Sequence, residues 1–447
     1  MERVEALLSQ GKYGEAFEAL TRRLDAAPTP DERGRLALLL AELYALYGPE
    51  DAENLEAALA EALEADPDLA AHPRARALSA LLRAYRGEAP AGPVPDEPRA
   101  AYHLAQAALW AGRPERVPGF LEAARPLPPH LAWRAEALRG HAEADLGRFA
   151  EALAAYRRAL AQAPAADRGP LALDAAEAAL EAGQPEAAEA FLRAAGPDPQ
   201  DPAQRASWHY LWARAELALE NPTRALEALA LAEQAETEAG DPSYGVPLLK
   251  GQALMQSGAY AEAVAAFREA RRRAPPEEQS YVTHELGVAA LEAGDLAEAE
   301  RLLKEAFGDP DYPHRGAAAA DLAELYYRLA DLEATRTWAE EAIGLGQAAA
   351  GELFLGHVAY DRMRLDEALA HYRRAAELAP EGSREWLVAE QTITEILAQQ
   401  GYPEPEEVLR RAQAALRYTP PSDDWASALE LYAERARALL SGGRTLN

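Results

Sequence analysis

The chain has 447 residues, with 45 Lys and Arg against 74 Asp and Glu and a formal charge of −29. An acidic excess of that size repels phosphate backbones and anionic lipid heads, which argues against nucleic acid and membrane surfaces as partners. There is no Cys, so disulfides, thiolate zinc sites and thiol nucleophiles are excluded.

Ala, Leu, Glu and Arg dominate and favour helix, whereas the β-branched residues that sheets need are scarce. Met1 to Leu8 reads as an amphipathic helix, not a targeting segment, and a cytoplasmic protein is expected. Gly11-Lys12-Tyr13-Gly14-Glu15-Ala16 opens a first repeat that ends at Pro28. A second runs from about 31 to 67, with helices around 33–47 and 51–65. It holds the longest apolar stretch, Leu36 to Tyr47, which Glu42 breaks and which is too short to span a bilayer. A helix at about 74–86 then lacks an evident mate. Residues 87–98, with Pro90, Pro93, Pro95 and Pro98, are expected to form an exposed linker. The next pair, about 98–111 and 114–125, carries Pro118 inside its second helix. Regular repeats continue to Pro380, followed by a degenerate pair at 384–400 and 404–418 and a helix at 423–440 that reads as a cap. Gly442 to Asn447 is expected as a frayed tail. The organisation is therefore 1–72, two repeats; 73–98, an unpaired helix and linker; 99–380, the main array; 381–420, the degenerate repeat; and 421–447, cap and tail.

The regular part has a fixed grammar. Near residue 140, for example, Gly140 lies in one helical pattern and Gly147 ends it. A second helix then carries Ala152, Tyr156 and Ala159 on one face, and Pro164 closes the repeat. The pattern returns with Gly251, Gly258, Ala263, Phe267, Ala270 and Pro275. It returns again with Gly287, Gly294, Ala299, Leu303 and Ala306, and with Gly356, Ala368, Tyr372, Ala375 and Pro380. Small residues let two helix backbones approach, the aromatic fills the gap, and the turn Gly takes the left-handed conformation. The closing Ala stands at 124, 159, 195, 232, 270, 306, 342 and 375, at intervals of 33 to 38 residues.

These residues resemble the tetratricopeptide repeat, whose period is about 34. The resemblance implies an all-α fold, an α-solenoid of about 10–11 antiparallel helix pairs forming a right-handed superhelix. It also implies that the first helix of each pair lines a concave groove where ligands bind. In this sequence's register the lining comprises Arg134, His141 and Asp145; Glu177 and Glu181; Tyr210 and Arg214; Gln252 and Met255; His284 and Val288; Glu324 and Tyr327; and His357 and Tyr360. Tyr210, Tyr327 and Tyr360 read either as anchors for an extended peptide or partner helix or as packing residues. His141 and His357 read as pH-sensitive contacts or as ordinary surface His. Family members that clamp the terminal carboxylates of heat-shock chaperones use Asn and Lys on this face. Here Lys occurs only at 12, 250 and 304, so that clamp is not expected.

No chemistry stands out. The nine His never pair at three- or four-residue spacing, Gly245 to Gly251 lacks the Lys-Ser/Thr of a phosphate loop, and no Ser sits between paired Gly. No cofactor or metal is expected, and the chain reads as a non-enzymatic scaffold for a protein or peptide. A regulator whose superhelix changes shape on binding a ligand is the alternative. The scarcity of Lys and Asn fits a bacterial high-GC genome, and few Asn and no Cys would suit a thermophile.

Overall fold

The computed structural model describes residues 2–27, 29–90, 93–197 and 200–442. The tail beyond Gly442 and the repeat boundary at Pro28 lie outside them. Among the described residues there are 24 α-helices and no strand. Each helix is started and stopped by local chemistry. Pro opens many of them, as at Pro30, Pro129, Pro202 and Pro222, where its missing N–H would have had no helical partner. Side-chain caps open others: Asp201 accepts from the Gln204 N–H at 3.0 Å and Asp331 from the Ala334 N–H at 3.0 Å.

Successive helices pack as pairs, among them Pro129–Asp145 with Phe149–Gln162, Gly245–Gln256 with Tyr260–Arg273, and Ala348–Asp361 with Leu365–Leu378. The small residue of the first helix is a steric requirement. A Cβ on Gly251 would stand 2.5 Å from the Phe267 ring, and one on Gly356 would stand 2.7 Å from Tyr372. Ala152, Ala263 and Ala299 are fully buried. So are the closing alanines, except Ala195, which is only half-buried because the helix Pro185–Ala195 ends on it. Between the helices of a pair the chain turns through one left-handed residue, such as Gly147 at φ +70° or Gly258 at φ +77°. Glu220, Ala330 and Met363 hold the same conformation without being Gly.

Two readings of the irregular region change. The helix expected to be unpaired, now Pro73–Ala84, packs against Pro98–Trp110. The latter helix also packs against Val117–Ala123, so one helix serves two neighbours and the simple alternation of first and second helices slips there. Pro118 does not interrupt a helix. A 3-10 turn, Pro114–Arg116, precedes Val117–Ala123 and places Pro118 in the first turn, where no N–H is required. In the linker, Glu88, Ala89, Pro93 and Val94 are exposed, but Pro90 is buried and its carbonyl accepts a hydrogen bond from Arg116.

The chain divides into two compact units, Met1–Pro242 and Ser243–Asn447. Within each, first helices of neighbouring pairs touch: Ala165–Glu181 meets both Pro129–Asp145 and Pro202–Ala218, and Ala348–Asp361 meets both Arg315–Arg328 and Arg384–Gln399. Among the described residues, second helices make no contact of that extent with one another. The first-helix side is therefore the tighter, inner side of each unit. The final helix, Asp424–Gly442, packs on Pro405–Leu416 and Arg384–Gln399 at the carboxy-terminal end of the second unit.

Candidate binding groove

In the first unit part of the inner side is engaged with the unit itself. The helix Glu2–Ser9 packs against Pro129–Asp145. Arg99 lies between two carboxylates, paired with Glu5 and, at 3.0 Å, with the buried Glu42, which also takes Arg74 at 3.2 Å. His130 Nδ1 stands 3.2 Å from Glu5 Oε2. Burial alone would raise the Glu5 carboxyl, but its contacts with His130 and Arg99 outweigh that and hold it at about 2. Arg134, expected to face a ligand, instead stacks over Trp133 at 4.2 Å and Tyr13 at 5.0 Å. It also donates to the His130 carbonyl at 2.9 Å. Tyr13 in turn donates to Asp167.

The remaining groove residues of this unit stand apart. His141 bonds Asp174 at 3.1 Å and meets Tyr156 edge-on. Burial pushes its imidazole down, but the Asp174 bond and the nearby Asp145 charge hold it above the ordinary His value. Arg214 lies 3.9 Å from Glu177, and Tyr210 packs on the core formed by Trp133, Leu171 and Leu211.

In the second unit three of the expected groove residues, Glu324, Tyr327 and His357, share one cavity. Gln252 donates to the Tyr281 hydroxyl at 3.1 Å. His284 is buried, with Nδ1 2.8 Å from the Tyr312 hydroxyl and Nε2 2.7 Å from Asp321 Oδ2. Asp321 then faces a cavity of about 370 Å³ whose wall also includes Glu324, Tyr327 and His357. Three consecutive first helices build it: Arg315–Arg328, Ala348–Asp361 and Arg384–Gln399. Ala320, Ala350, Leu353, Phe354 and Val388 supply apolar wall, and Arg328, Arg384 and Glu385 supply charge. Tyr327 stacks on His357 with ring centres 5.0 Å apart, and His357 Nδ1 lies 2.7 Å from the Tyr372 hydroxyl. Burial pushes the His357 imidazole down to about 4, so it is neutral at ordinary pH. Tyr360 is outside this wall and packs on the core around Tyr372 and Ile393.

Of the twelve wall residues the sequence reading named only Glu324, Tyr327 and His357, and the most consequential of those it missed is Arg384. Arg384 reaches back sixty positions and grips Glu324 with two hydrogen bonds of 2.9 Å, while Arg328 bonds the same carboxylate from one turn away. Burial raises the Glu324 carboxyl, but the bonds and charges of Arg384 and Arg328 outweigh it and hold it below the usual range. The one available signal was positional. An Arg in the first turn of a helix opposes the helix dipole, so its charge must be used elsewhere. A larger cavity of about 540 Å³, between Arg384–Gln399 and Pro405–Leu416, contains none of the expected residues. Among the described residues no group of three metal-ligating side chains forms, and no helix is long and apolar enough to cross a membrane.

Comparison with known proteins identifies the repeat in the middle of the chain. Two tetratricopeptide-repeat models match residues 143–214 and 210–278. No curated protein matches the sequence. Among solved structures, a signal-transduction ATPase with numerous domains from Pyrococcus horikoshii, which carries a tetratricopeptide-repeat sensor, aligns over 81% of this chain and 55% of its own. The TM-score is 0.51 and the identity 16%. Yeast Tom70 aligns over 98% of this chain and 95% of its own, with a TM-score of 0.48 and 13% identity. The APC/C hetero-tetramer Cut9–Hcn1 aligns over 97% and 95%, with 0.44 and 14%. Residues 143–278 thus match tetratricopeptide repeats by sequence, and the same paired-helix packing continues on both sides of them.

Proposed function

We propose that the chain binds, and does not transform, a peptide segment or helix of a partner protein, and that the second unit's groove is where it does so. The observation that supports this is the cavity at Glu324, Tyr327, Phe354, His357 and Arg384. Three successive repeats contribute to it, it combines apolar wall with a few fixed polar groups, and two stacked rings form part of its lining. Such a surface suits an extended peptide or a helix face, whose anchor side chain enters the pocket while the rim holds the backbone. Arg134, His141, Tyr210, Arg214, Gln252, His284 and Tyr360 are then supporting or internal residues of their units, and Tyr327 and His357 are the anchors' receptors.

The test is the double substitution Tyr327→Ala and His357→Ala, compared with Tyr210→Ala and Arg214→Ala in the first unit. Partners captured by the native protein should be lost with the first double variant and kept with the second. Capture that survives in the first and fails in the second would move the binding surface to the other unit.

A further inference from the structure

The proposed groove has a chemical preference, and Arg384 reveals it. Glu324 is a buried carboxylate, 7% exposed, at the wall of a cavity open to solvent chemistry. Two guanidinium groups satisfy it, and they are not equivalent. Arg328 is held by three acceptors: Glu324, Glu292 at 2.7 Å and the Leu291 carbonyl at 3.0 Å. Among the described residues Arg384 makes its hydrogen bonds to Glu324 alone, and its side chain remains 68% exposed. Arg328 is thus part of the wall, whereas Arg384 occupies the carboxylate from the solvent side and comes from a helix two first-helix positions away.

We propose that this cavity accepts a guanidinium or ammonium group of a partner segment, which pairs with Glu324 in place of Arg384. This rests on the groove reading above and adds the partner's charge. Three features favour a cation over an anion. The charged side chains of the wall are Asp321, Glu324 and Glu385 against Arg328 and Arg384, so displacing Arg384 leaves an acidic pocket. The stacked Tyr327 and His357 rings and Phe354 offer faces along which the stem of an Arg or Lys can lie. The chain as a whole carries −29, which steers basic segments toward it and repels acidic ones. Arg384 acts as an internal stand-in for the ligand's cation. It adds a second cation to the buried carboxylate, beside Arg328, when the groove is empty, and it lowers the apparent affinity by the fraction of time it must be displaced.

The test uses the full chain and two fluorescent, end-capped peptides of equal length, one alternating Arg with Leu and one alternating Glu with Leu, read by anisotropy at fixed salt. The Arg peptide should bind. Arg384→Ala should tighten it about fivefold by removing the competitor. Glu324→Gln should weaken it about tenfold or more, a charge-assisted bond being lost. Glu340→Gln, an exposed carboxylate outside the cavity wall, should leave it unchanged and so measures general attraction to an acidic surface. The proposal is overturned if the Arg peptide does not bind, if Arg384→Ala weakens it, or if Glu324→Gln and Glu340→Gln behave alike in folded proteins. It is also overturned if the Glu peptide binds and depends on Arg384. In all of these cases the groove reading stands or falls separately, on whether captured partners are lost with Tyr327→Ala and His357→Ala.

Discussion

In the unit Met1–Pro242 the helix Glu2–Ser9 lies on Pro129–Asp145, and Arg99, Glu5, Glu42 and His130 form the ion pairs beside the contact. In the unit Ser243–Asn447 the equivalent faces of three successive pairs leave a cavity of about 370 Å³, across which Arg384 reaches Glu324. Both units follow the same repeat. What differs is where the cations stand. Arg99 is largely enclosed, at 19% exposure, and ties together distant segments; Arg384 is 68% exposed and rests against a carboxylate that Arg328 already holds. A buried cation between two carboxylates closes a surface, whereas an exposed one leaves it exchangeable.

The comparison breaks most visibly at these two residues. Arg99→Ala removes the cation shared by Glu5 and the buried Glu42, leaving them His130 and Arg74, and should cost about 3 kcal/mol in chemical denaturation. Arg384→Ala should cost less than about 1 kcal/mol, as an exposed ion pair does. Equal losses would mean the two contacts are of one kind.

The packing shared by both units gives the next effect. Gly140→Ala in the first and Gly251→Ala in the second each place a methyl carbon within 3 Å of an aromatic ring, Tyr156 and Phe267 respectively. Both should destabilise by roughly 1–3 kcal/mol through overpacking. A loss in only one unit would show that the repeat register differs between them.

Acid should separate the units by window. His357 is neutral in the folded chain, with its value lowered from 6.5 to about 4. The unfolded chain therefore binds the extra proton, and the stability this group contributes is lost as pH falls from about 6.5 to about 4. Glu5 is lowered from 4.5 to about 2, so its contribution persists to lower pH and is lost only as pH falls from about 4.5 toward 2. Hydrogen exchange followed by mass spectrometry should show protection around 348–361 declining first and protection of 2–9 declining later. His357→Gln should remove the earlier change.

The smallest effect is a gain. Ala330 and Met363 sit at the left-handed turn position where most pairs have Gly. Ala330→Gly should stabilise the second unit by about 1 kcal/mol, relieving the contact between Cβ and carbonyl that disfavours positive φ. An unchanged melting midpoint would show that the turn is not strained.

The repeat was legible because its causes are local. Gly140 with Tyr156, the turn at Gly147 and the closing Ala159 are set by neighbours within a few turns, and spacing alone recovers them. The mate of Pro73–Ala84 was not legible, because Pro98–Trp110 serves two neighbours and no sequence pattern marks a shared helix. The contacts of Arg99 with Glu5 and of Arg384 with Glu324 span 94 and 60 residues, and depend on how several pairs stack. Arg134 illustrates the same limit. Its register placed it on the inner side, but Tyr13, from the first pair, covers it.

The central claim is that the first unit's amino-terminal helix covers its inner side at Pro129–Asp145, while the proposed partner site lies in the second unit's groove. Because the chain has no Cys, Glu5→Cys with His130→Cys creates a single pair that a short bis-maleimide can bridge, while Arg99 retains Glu42. The account predicts near-complete intramolecular cross-linking, with partner capture by the locked protein equal to that of the unlocked one. Failure to cross-link, or capture abolished by the lock, would contradict it, showing that the first unit is open or must open to bind.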